Sequence, residues 1–356
     1  MNVLAILLII GTKEPKVTPN DIEAALLSTL DQHFWDAKNS RWREMAGSDD
    51  EVFLWGYFVL LSTFAIGAKV DPSVYKPRLE RAFAHLEKYW TKKSPGGYAV
   101  LPGQDKNPDR YYDDNAWVGL AAMEAFDATK DKKYLAVAKR AFQFVKSGED
   151  KKLGGGIYWH ENKKESKNAC VNAPAAMLAF KLFLVTHDDA FRADGERWFD
   201  WTSKLADKDL LIMDNMNLSG KIDQTKWSYN SACYILASQL SVESAIRFLS
   251  GAVYVSPRVE TSQINMLKSA ETRWIDPKTK LVRNPGMFAM HLMEAIALQN
   301  PKDVAQTVVA VFEKCRNEQG LLGEYWDRKP LPGEKLKLMY TASLLRTCLV
   351  VRSKTN

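Results

Sequence analysis

Apolar residues recur with the spacing of amphipathic helices along almost the whole chain after residue 19. Helix-start signals support this pattern. The segment "SDDE" at 48–51 has the Ser-x-x-Glu form of a capping box, and Pro72, Pro174 and Pro301 stand where a first-turn proline fits. The pattern predicts helices at 20–35, 51–67, 72–91, 114–128, 131–147, 171–186, 190–205, 227–240, 242–250, 260–274, 287–299, 302–317 and 336–350.

Short segments with the character of strands or hairpins separate alternate helices: "GGYAVLP" at 96–102, "GGGIYWHE" at 154–161 and "LLIMDNMNLSGKID" at 210–223. They recur roughly every 55 to 60 residues, a period typical of helix-pair repeats. This spacing predicts an all-α fold, a closed toroid of inner and outer helices, with an open helical solenoid as the competing architecture. Closure is favoured because the terminal helices are not markedly more polar than the central ones. Residues 20–356 contain no linker and are expected to form a single domain.

The first 19 residues have a different character. The apolar run "MNVLAILLIIG" has about the length of a signal-peptide core and is too short to span a bilayer. A polar stretch follows it, so residues 1–19 are interpreted as a truncated export signal or linker. We expect an exported protein, extracellular, periplasmic or at the cell surface. The run lacks a charged leading segment, and the alternative is a mature chain whose start packs on the surface.

Composition excludes several classes of function. The chain is 46% hydrophobic and 26% charged, as in an ordinary globular protein. The net charge of +6 is mild and only "KKESK" at 163–167 is densely basic, so nucleic-acid binding is not indicated. The four cysteines and five histidines form no metal-binding motif, and no nucleotide-binding loop occurs. We therefore expect no metal, no cofactor, no membrane span and a monomer.

Asp-Asp occurs three times, at 49–50, 113–114 and 188–189. The first pair lies in the predicted capping box and the third in a turn between helices, so helix capping and solvation explain both. The middle pair instead lies between two tyrosines and Trp117, after a long loop rich in Gly and Pro. Aromatic walls would push the pKa values of two carboxyls apart and leave one ionised and one protonated. On the residues alone, catalysis and helix capping both remain open for Asp113 and Asp114.

Three segments carry a resemblance: "YYDDNAW", "LGGGIYWHENKKESKNACVNAPAAMLAFKL" and "KWSYNSACYILASQL". In order and spacing they resemble glycoside hydrolase family 76, the α-1,6-mannanases, over residues 20–350. The resemblance implies an (α/α)6 toroid with short β-hairpins in the cleft-side loops. It also implies internal hydrolysis of α-1,6-linked mannan with retention and without a metal. Asp113 would then be the nucleophile and Asp114 the general acid/base.

The chemistry agrees with this assignment. Retaining enzymes hold the two carboxyls about 5–5.5 Å apart, against roughly 6.5–9.5 Å in inverting enzymes. Adjacent residues at the junction of a loop and a helix can reach the shorter separation. Two regions depart from the family pattern, "RNPGMFAMHLMEAI" and "KLMYTASLLRTCLV". They affect the expected substrate detail more than the expected activity.

The matched segments also supply candidates for contacts with the sugar. Each has a competing structural interpretation: Asn172 stands before Ala-Pro, as an N-cap would, Lys167 could be solvated, and the aromatic residues could belong to the core. The candidates are Tyr112, Asn115, Trp55, Trp159, Lys167, Asn168, Asn172, Trp227, Tyr229 and Asn230.

The expected function is a retaining endo-α-1,6-mannanase whose partner is α-mannan. A transglycosidase that remodels wall glycans on the same fold is an alternative, because water or a sugar hydroxyl can resolve the same covalent intermediate. A non-catalytic glycan-binding toroid, or a helical scaffold for protein partners, is a third hypothesis. It predicts a decayed aspartate pair, whereas both aspartates are present.

Overall fold

The computed structural model describes residues 17–249 and 257–355, so most of the predicted export segment lies outside the described residues. Helices dominate the described part of the chain. They are α1 Pro19–Phe34, α2 Leu54–Val70, α3 Pro72–Leu86, α4 Tyr112–Thr129, α5 Lys132–Lys146, α6 Ala169–Thr186, α7 Asp189–Ser203, α8 Ser228–Phe248, α9 Pro257–Trp274, α10 Gly286–Ala297, α11 Pro301–Lys314 and α12 Leu338–Thr355.

Short strands precede each even-numbered helix in the described residues. They pair antiparallel as β1–β2, β3–β4, β5–β6–β7 and β8–β9. The strands are β1 Trp35–Asp36, β2 Arg41–Trp42, β3 Trp90–Thr91, β4 Gly97–Tyr98, β5 Ser166–Asn168, β6 Met213–Asn217, β7 Ile222–Lys226, β8 Val282–Pro285 and β9 Tyr325–Trp326.

The even-numbered helices contact one another in a circular order. α2 packs against α4, α4 against α6, α6 against α8, α8 against α10 and α10 against α12, and α12 returns to α2. α2, α4 and α6 are buried on nearly every side. The odd-numbered helices are amphipathic and pack on this inner set, for example α3 on α2, α5 on α4 and α7 on α6. Helices thus occur in inner and outer pairs, with the core between them.

One arginine connects four inner helices. Arg346 of α12 is 1% exposed, and its Nε donates to Ser62 Oγ of α2 at 2.7 Å. Its Nη2 donates to Glu124 Oε1 of α4 at 3.2 Å and to Glu294 Oε2 of α10 at 2.8 Å. A buried guanidinium is tolerated only when it is paired and hydrogen-bonded in this way. The network therefore joins α12, α2, α4 and α10 inside the ring.

Two asparagines attach the loops to the inner helices with the same geometry. Asn115 is the fourth residue of α4, and its amide accepts from the N–H of Tyr98 at 2.8 Å and donates to the C=O of Tyr98 at 2.9 Å. Asn172 is the fourth residue of α6 and makes the same two bonds to Ile157, at 2.8 and 3.0 Å. Each amide thus pairs with the backbone of one loop residue as a neighbouring strand would, and it holds the preceding loop against its helix.

The structure corrects several sequence-based predictions. The helices predicted at 227–240 and 242–250 are one continuous α8, because no Gly or Pro interrupts the helix between them. The capping box at 48–51 is not used: Glu51 forms an isolated bridge with Arg43, and α2 begins three residues later without a side-chain cap. Pro72 and Pro301 lie in first turns as predicted.

Pro174 is not a first-turn proline but lies inside α6. Its missing N–H leaves the carbonyl of Cys170, four residues earlier, without a helical donor. Tyr229 Oη supplies one at 3.0 Å. Among the described helices, α6 is long and apolar enough to cross a membrane. Of its 18 residues, 72% are buried inside the protein, as in a core helix.

Of the predicted strand segments, 210–223 is confirmed as the β6–β7 hairpin and 96–102 contains β4. The segment 154–161 forms no strand. It makes isolated bridges instead, among them Tyr158 with Lys167 and His160 with Tyr111. Three consecutive positive-φ glycines, 154 to 156, prevent the extended conformation that a strand requires.

Candidate active site

First turns of the inner helices bring their side chains together at one end of the ring. Trp55 of α2 lies 6.0 Å from the ring of Tyr229 of α8, and its Nε1 donates to Met287 Sδ of α10 at 3.3 Å. Trp227, the N-cap of α8, lies 5.3 Å from Phe288 of α10. The first turns of α4 and α6 meet at the same end, since Cys170 contacts Asp113 and Tyr229 donates to the Cys170 carbonyl; we call this end the candidate cleft.

Asp113 lies in the first turn of α4 and accepts three hydrogen bonds. Its Oδ2 accepts from Trp159 Nε1 at 2.9 Å and from the Cys170 thiol at 3.7 Å, and its Oδ1 accepts from the N–H of Asp114 at 3.0 Å. Burial raises the pKa of Asp113 to about 6, although these donors oppose the rise. Asp113 is therefore largely ionised near neutral pH, in a position fixed from three sides.

Asp114 has a different electrostatic environment. It is 6% exposed, like Asp113, and burial raises its pKa well above the usual range. The charges of Asp113 and Asp109 raise the pKa further because like charges disfavour ionisation. The pair is thus divided into one carboxyl that ionises more readily and one that keeps its proton, the arrangement required for a nucleophile and a general acid.

Neither aspartate is the N-cap of α4. The N-cap is Tyr111, whose side chain makes no capping bond. The control pair differs: Asp188 caps α7 by accepting from the N–H of Ala190 at 3.0 Å. Asp113 and Asp114 are also buried, whereas Asp188 and Asp189 are exposed. Capping therefore explains the control pair but does not explain the burial of the pair in α4.

Trp159 forms the exposed aromatic wall beside Asp113. Its side chain is 42% exposed, with its ring 5.0 Å from that of Tyr111. His160, the next residue, packs on Tyr111 at 4.5 Å and lies 2.7 Å from the Asp109 carboxylate. Trp159 can therefore orient Asp113 through its indole N–H while one ring face remains open to the cleft.

Other predicted contact residues are less exposed than Trp159. Trp55 and Trp227 are partly buried, whereas Tyr229 is 1% exposed, with its ring 6.0 Å from that of Trp55. Asn230 is buried, and its Nδ2 donates to Asp214 Oδ1 of β6 at 3.3 Å. Asn168 is 7% exposed and its Oδ1 accepts from Ser166 Oγ at 2.7 Å.

Four predicted contact residues lie behind the cleft in this structure. Tyr112 stacks on Phe144 with ring centroids 4.9 Å apart and is 2% exposed. Lys167 is fully buried and its Nζ donates to Asp150 Oδ1 at 2.6 Å and to three backbone carbonyls. Asn115 and Asn172 hold the loops through their amides. All four are placed to support the site, because their polar atoms already have protein partners or are buried.

Sequence reasoning missed two residues of the site. The sequence assigns no role to Cys170. All four cysteines are free, but Cys170 touches Asp113. Its place two residues after Asn168, within a matched segment, was the available signal. Asp214 lies in the confirmed hairpin and faces both Asn230 and Cys170. In the described parts of the chain, His, Cys, Asp and Glu side chains form no group of three able to hold a metal ion.

Comparison with known proteins agrees with this fold. The sequence profile of glycosyl hydrolase family 76 matches residues 32–240. A family 76 α-mannanase from Bacteroides thetaiotaomicron has a similar structure, with a TM-score of 0.86, 25% identity, and coverage of 95% of this chain and 96% of that chain. A comparison with curated proteins found no match.

Two more distant structures share the fold. One is an inactive variant of an α-1,6-mannanase from Salegentibacter sp. HEL1_6, with two consecutive aspartates replaced by asparagine, in complex with α-1,6-mannotriose; its TM-score is 0.76 at 19% identity, covering 94% of this chain and 98% of that one. The other is Dfg5 from Chaetomium thermophilum with glucosamine, with a TM-score of 0.70 at 14% identity, covering 96% and 92%. Because the profile matches more than half of the sequence and the fold agrees along nearly its whole length, this chain belongs to glycosyl hydrolase family 76.

Proposed function

We propose that the protein is a retaining, endo-acting glycosidase that cleaves α-1,6-mannosidic bonds in mannan backbones. The observation that carries this proposal is the divided pair in α4, with Asp113 ionisable near pH 6 and Asp114 kept protonated by its neighbours. Family membership supplies the reaction class, glycoside hydrolysis on mannans. The α-1,6 linkage is inferred from the similar Salegentibacter enzyme, whose inactive variant has asparagine in place of two consecutive aspartates.

In this mechanism Asp113 attacks the anomeric carbon from one face of the sugar while Asp114 protonates the departing 6-oxygen of the next mannose. The covalent glycosyl-enzyme keeps the first sugar on Asp113. Asp114, now ionised, removes a proton from the incoming water, which releases the product with its original configuration. The raised pKa of Asp114 keeps its carboxyl protonated before each first step, so that it can act as the acid.

Aromatic side chains around the pair support binding of a chain rather than a single sugar. Trp159 offers an exposed ring beside Asp113, and Trp55 and Trp227 line the first turns of the neighbouring helices. Sugar-binding clefts commonly combine aromatic faces with a few polar groups. A polysaccharide such as mannan does not cross membranes. An exported enzyme, as the apolar run within residues 1–19 predicts, would meet this substrate outside the cell.

We also infer that the closed order of even-numbered helices, each with an odd-numbered partner on its outer side, is an (α/α)6 toroid. The return contact from α12 to α2 supports it, together with the Arg346 network inside the ring. In such a ring all inner helices run in the same direction. Their first turns then share one end, where the cleft lies.

Product analysis on debranched α-1,6-mannan tests the proposal. The wild-type enzyme should release α-1,6-linked oligosaccharides of several lengths from the start, and the variant with both Asp113 and Asp114 replaced by Asn should release none. Mannose as the sole early product, or intact mannan, would contradict an endo-mannanase. Products longer than an added oligosaccharide substrate would instead identify the enzyme as a transglycosidase.

A further inference from the structure

A partly buried thiol touches the proposed nucleophile from the next inner helix. Cys170 is the second residue of α6, and its Sγ lies 3.7 Å from Oδ2 of Asp113. We infer that Cys170 is a positioning residue, whose thiol completes the set of three donors that orient the Asp113 carboxylate toward the sugar. The inference deepens the proposed function, and it rests on that function only in naming Asp113 the nucleophile.

The thiol can act only as a donor in this place. Burial raises the pKa of Cys170 well above that of a free cysteine, and the charge of Asp113 raises it further. The sulfur therefore keeps its proton in the pH range where Asp113 is ionised. A thiol is a weak donor, so it orients the carboxylate without strongly stabilising its charge. A nucleophile benefits from this balance, since a strongly hydrogen-bonded carboxylate attacks less readily.

The backbone of Cys170 is held from two other helices. Pro174 provides no N–H for the Cys170 carbonyl, and Tyr229 of α8 donates to that carbonyl instead at 3.0 Å. Trp117 of α4 donates its indole N–H to Tyr229 Oη at 2.5 Å. The chain Trp117–Tyr229–Cys170–Asp113 thus begins and ends on α4, where Trp117 lies one turn after Asp113. This closed path fixes the direction of the thiol.

Other ionisable groups face this arrangement and bear on its titration. They come from α4, the loop before it, α8 and the β6–β7 hairpin, and a negative charge on any of them would disfavour ionisation of its neighbours in this group. They are Asp114, Asp109, Tyr111, Tyr229, Cys233 and Asp214. The opposing contribution comes from the donors, Trp159, the Asp114 N–H and Cys170. Removing one donor should therefore shift the titration of Asp113 upward.

The indole N–H of Trp159 reports this titration without any substrate, because it is bonded to Asp113 Oδ2. In protein labelled with ¹⁵N-tryptophan, the Trp159 resonance, assigned with Trp159→Phe, should titrate with a midpoint near pH 6. Cys170→Ala should move the midpoint upward by up to about 0.5 pH unit, the lower end of what one hydrogen bond contributes, because a thiol is a weak donor. Cys170→Ser retains a donor and should move it less.

Cys348→Ala is the control, since this thiol is also free but is fully buried in α12 against the Pro19 carbonyl, away from Asp113. Its midpoint should equal that of the wild type. An unchanged midpoint in Cys170→Ala, or an equal shift in the control, would overturn the inference. If alanine lowers the yield of folded protein, Cys170→Val, which keeps the bulk of the side chain and removes the donor, decides the question by the same criterion. The titration needs no turnover, so its outcome is separate from whether the protein hydrolyses mannan.

Discussion

Asp113 and Asp114 are neighbours in one helical turn, yet their surroundings differ. Asp113 is hydrogen-bonded by Trp159, by Cys170 and by the backbone N–H of Asp114. Asp114 faces the carboxylates of Asp113 and Asp109. Donors favour the ionised form and like charges disfavour it, so the two side chains are suited to different roles. Local sequence shows the pair but not this difference, which depends on residues more than 40 positions further along the chain.

The pH profile should show the division between the two carboxyls. As pH rises through about 6, Asp113 loses its proton and kcat/KM should rise. At higher pH Asp114 ionises and the general acid is lost, so kcat/KM should fall again. Initial rates on α-1,6-mannan from about pH 4 to about pH 10 measure both limbs, because the interval begins near the ordinary carboxyl pKa and extends well above it. A rate that keeps increasing with acidity below pH 5 would show that Asp113 is not required as an anion, since it is protonated there.

Asparagine at either position should abolish most turnover without unfolding the protein. Asp114→Asn removes the acid/base, worth about 10²–10⁴-fold, and Asp113→Asn removes the nucleophile itself. Both pKa values are raised by folding, so ionisation of these groups opposes folding as pH rises above the usual carboxyl pKa. The Asn variants should therefore be at least as stable as the wild type at pH 7, with the difference closing in acid. Activity and thermal unfolding measure both effects.

Asp188→Ala is the control for these variants. Asp188 caps α7, so alanine should lower the free energy of unfolding by about 0.5–2 kcal/mol and leave kcat unchanged. Lost activity in Asp188→Ala, together with lost stability in the α4 variants, would reverse our interpretation of the two pairs.

At the scale of elements, most helices could be predicted because their apolar spacing is long and regular. What could not be predicted was which face of a matched segment meets the cleft. Lys167 and Asn168 were both assigned to substrate, although neighbours in β5 point to opposite faces of the strand. Lys167 is fully buried, paired with Asp150, and Asn168 is 7% exposed. Strand alternation would have separated these two residues, but the segment was not recognised as a strand.

A structural repeat was also hidden in the sequence. After five of the six described odd-numbered helices, α3 being the exception, a carboxylate or amide oxygen accepts a backbone N–H two or three residues on, at Asp36, Asp150, Asp207, Asp276 and Asn317. Each of these turns also contains one residue with positive φ, at Ser40, Leu153, Leu210, Lys280 and Gly320. One turn geometry is thus made by different residues, so no identity between repeats is visible.

Asn172→Ala tests the loop attachment. The change leaves the buried N–H and C=O of Ile157 without partners and should lower the free energy of unfolding by about 1–3 kcal/mol. Ile157 precedes Trp159 by two residues, so Trp159 should lose its position and kcat/KM should fall by up to about 10²-fold. Asn162→Ala in the same loop removes an exposed amide and should change stability by at most about 0.5 kcal/mol. Equal effects in the two variants would contradict the attachment.

At the scale of the whole molecule, the Arg346 network holds the inner ring together. Arg346→Met should leave the partly buried carboxylates of Glu124 and Glu294 without their shared cation, at a cost of about 3 kcal/mol. Arg283→Met, which removes an exposed pair with Asp276, should cost at most about 1 kcal/mol. Denaturant unfolding of both variants measures the difference. A cost for Arg346→Met no larger than for Arg283→Met would show that the ring is stable without this network.

Retention is the central claim, and the anomeric configuration of the first product tests it most directly. Proton NMR of debranched α-1,6-mannan, recorded within the first minutes after enzyme is added, distinguishes α from β reducing ends before mutarotation mixes them. With Asp113 as nucleophile and Asp114 as acid/base, the new reducing ends of the oligosaccharides should appear as the α-anomer, followed only later by the β-anomer. Reducing ends that appear first as the β-anomer would contradict the mechanism.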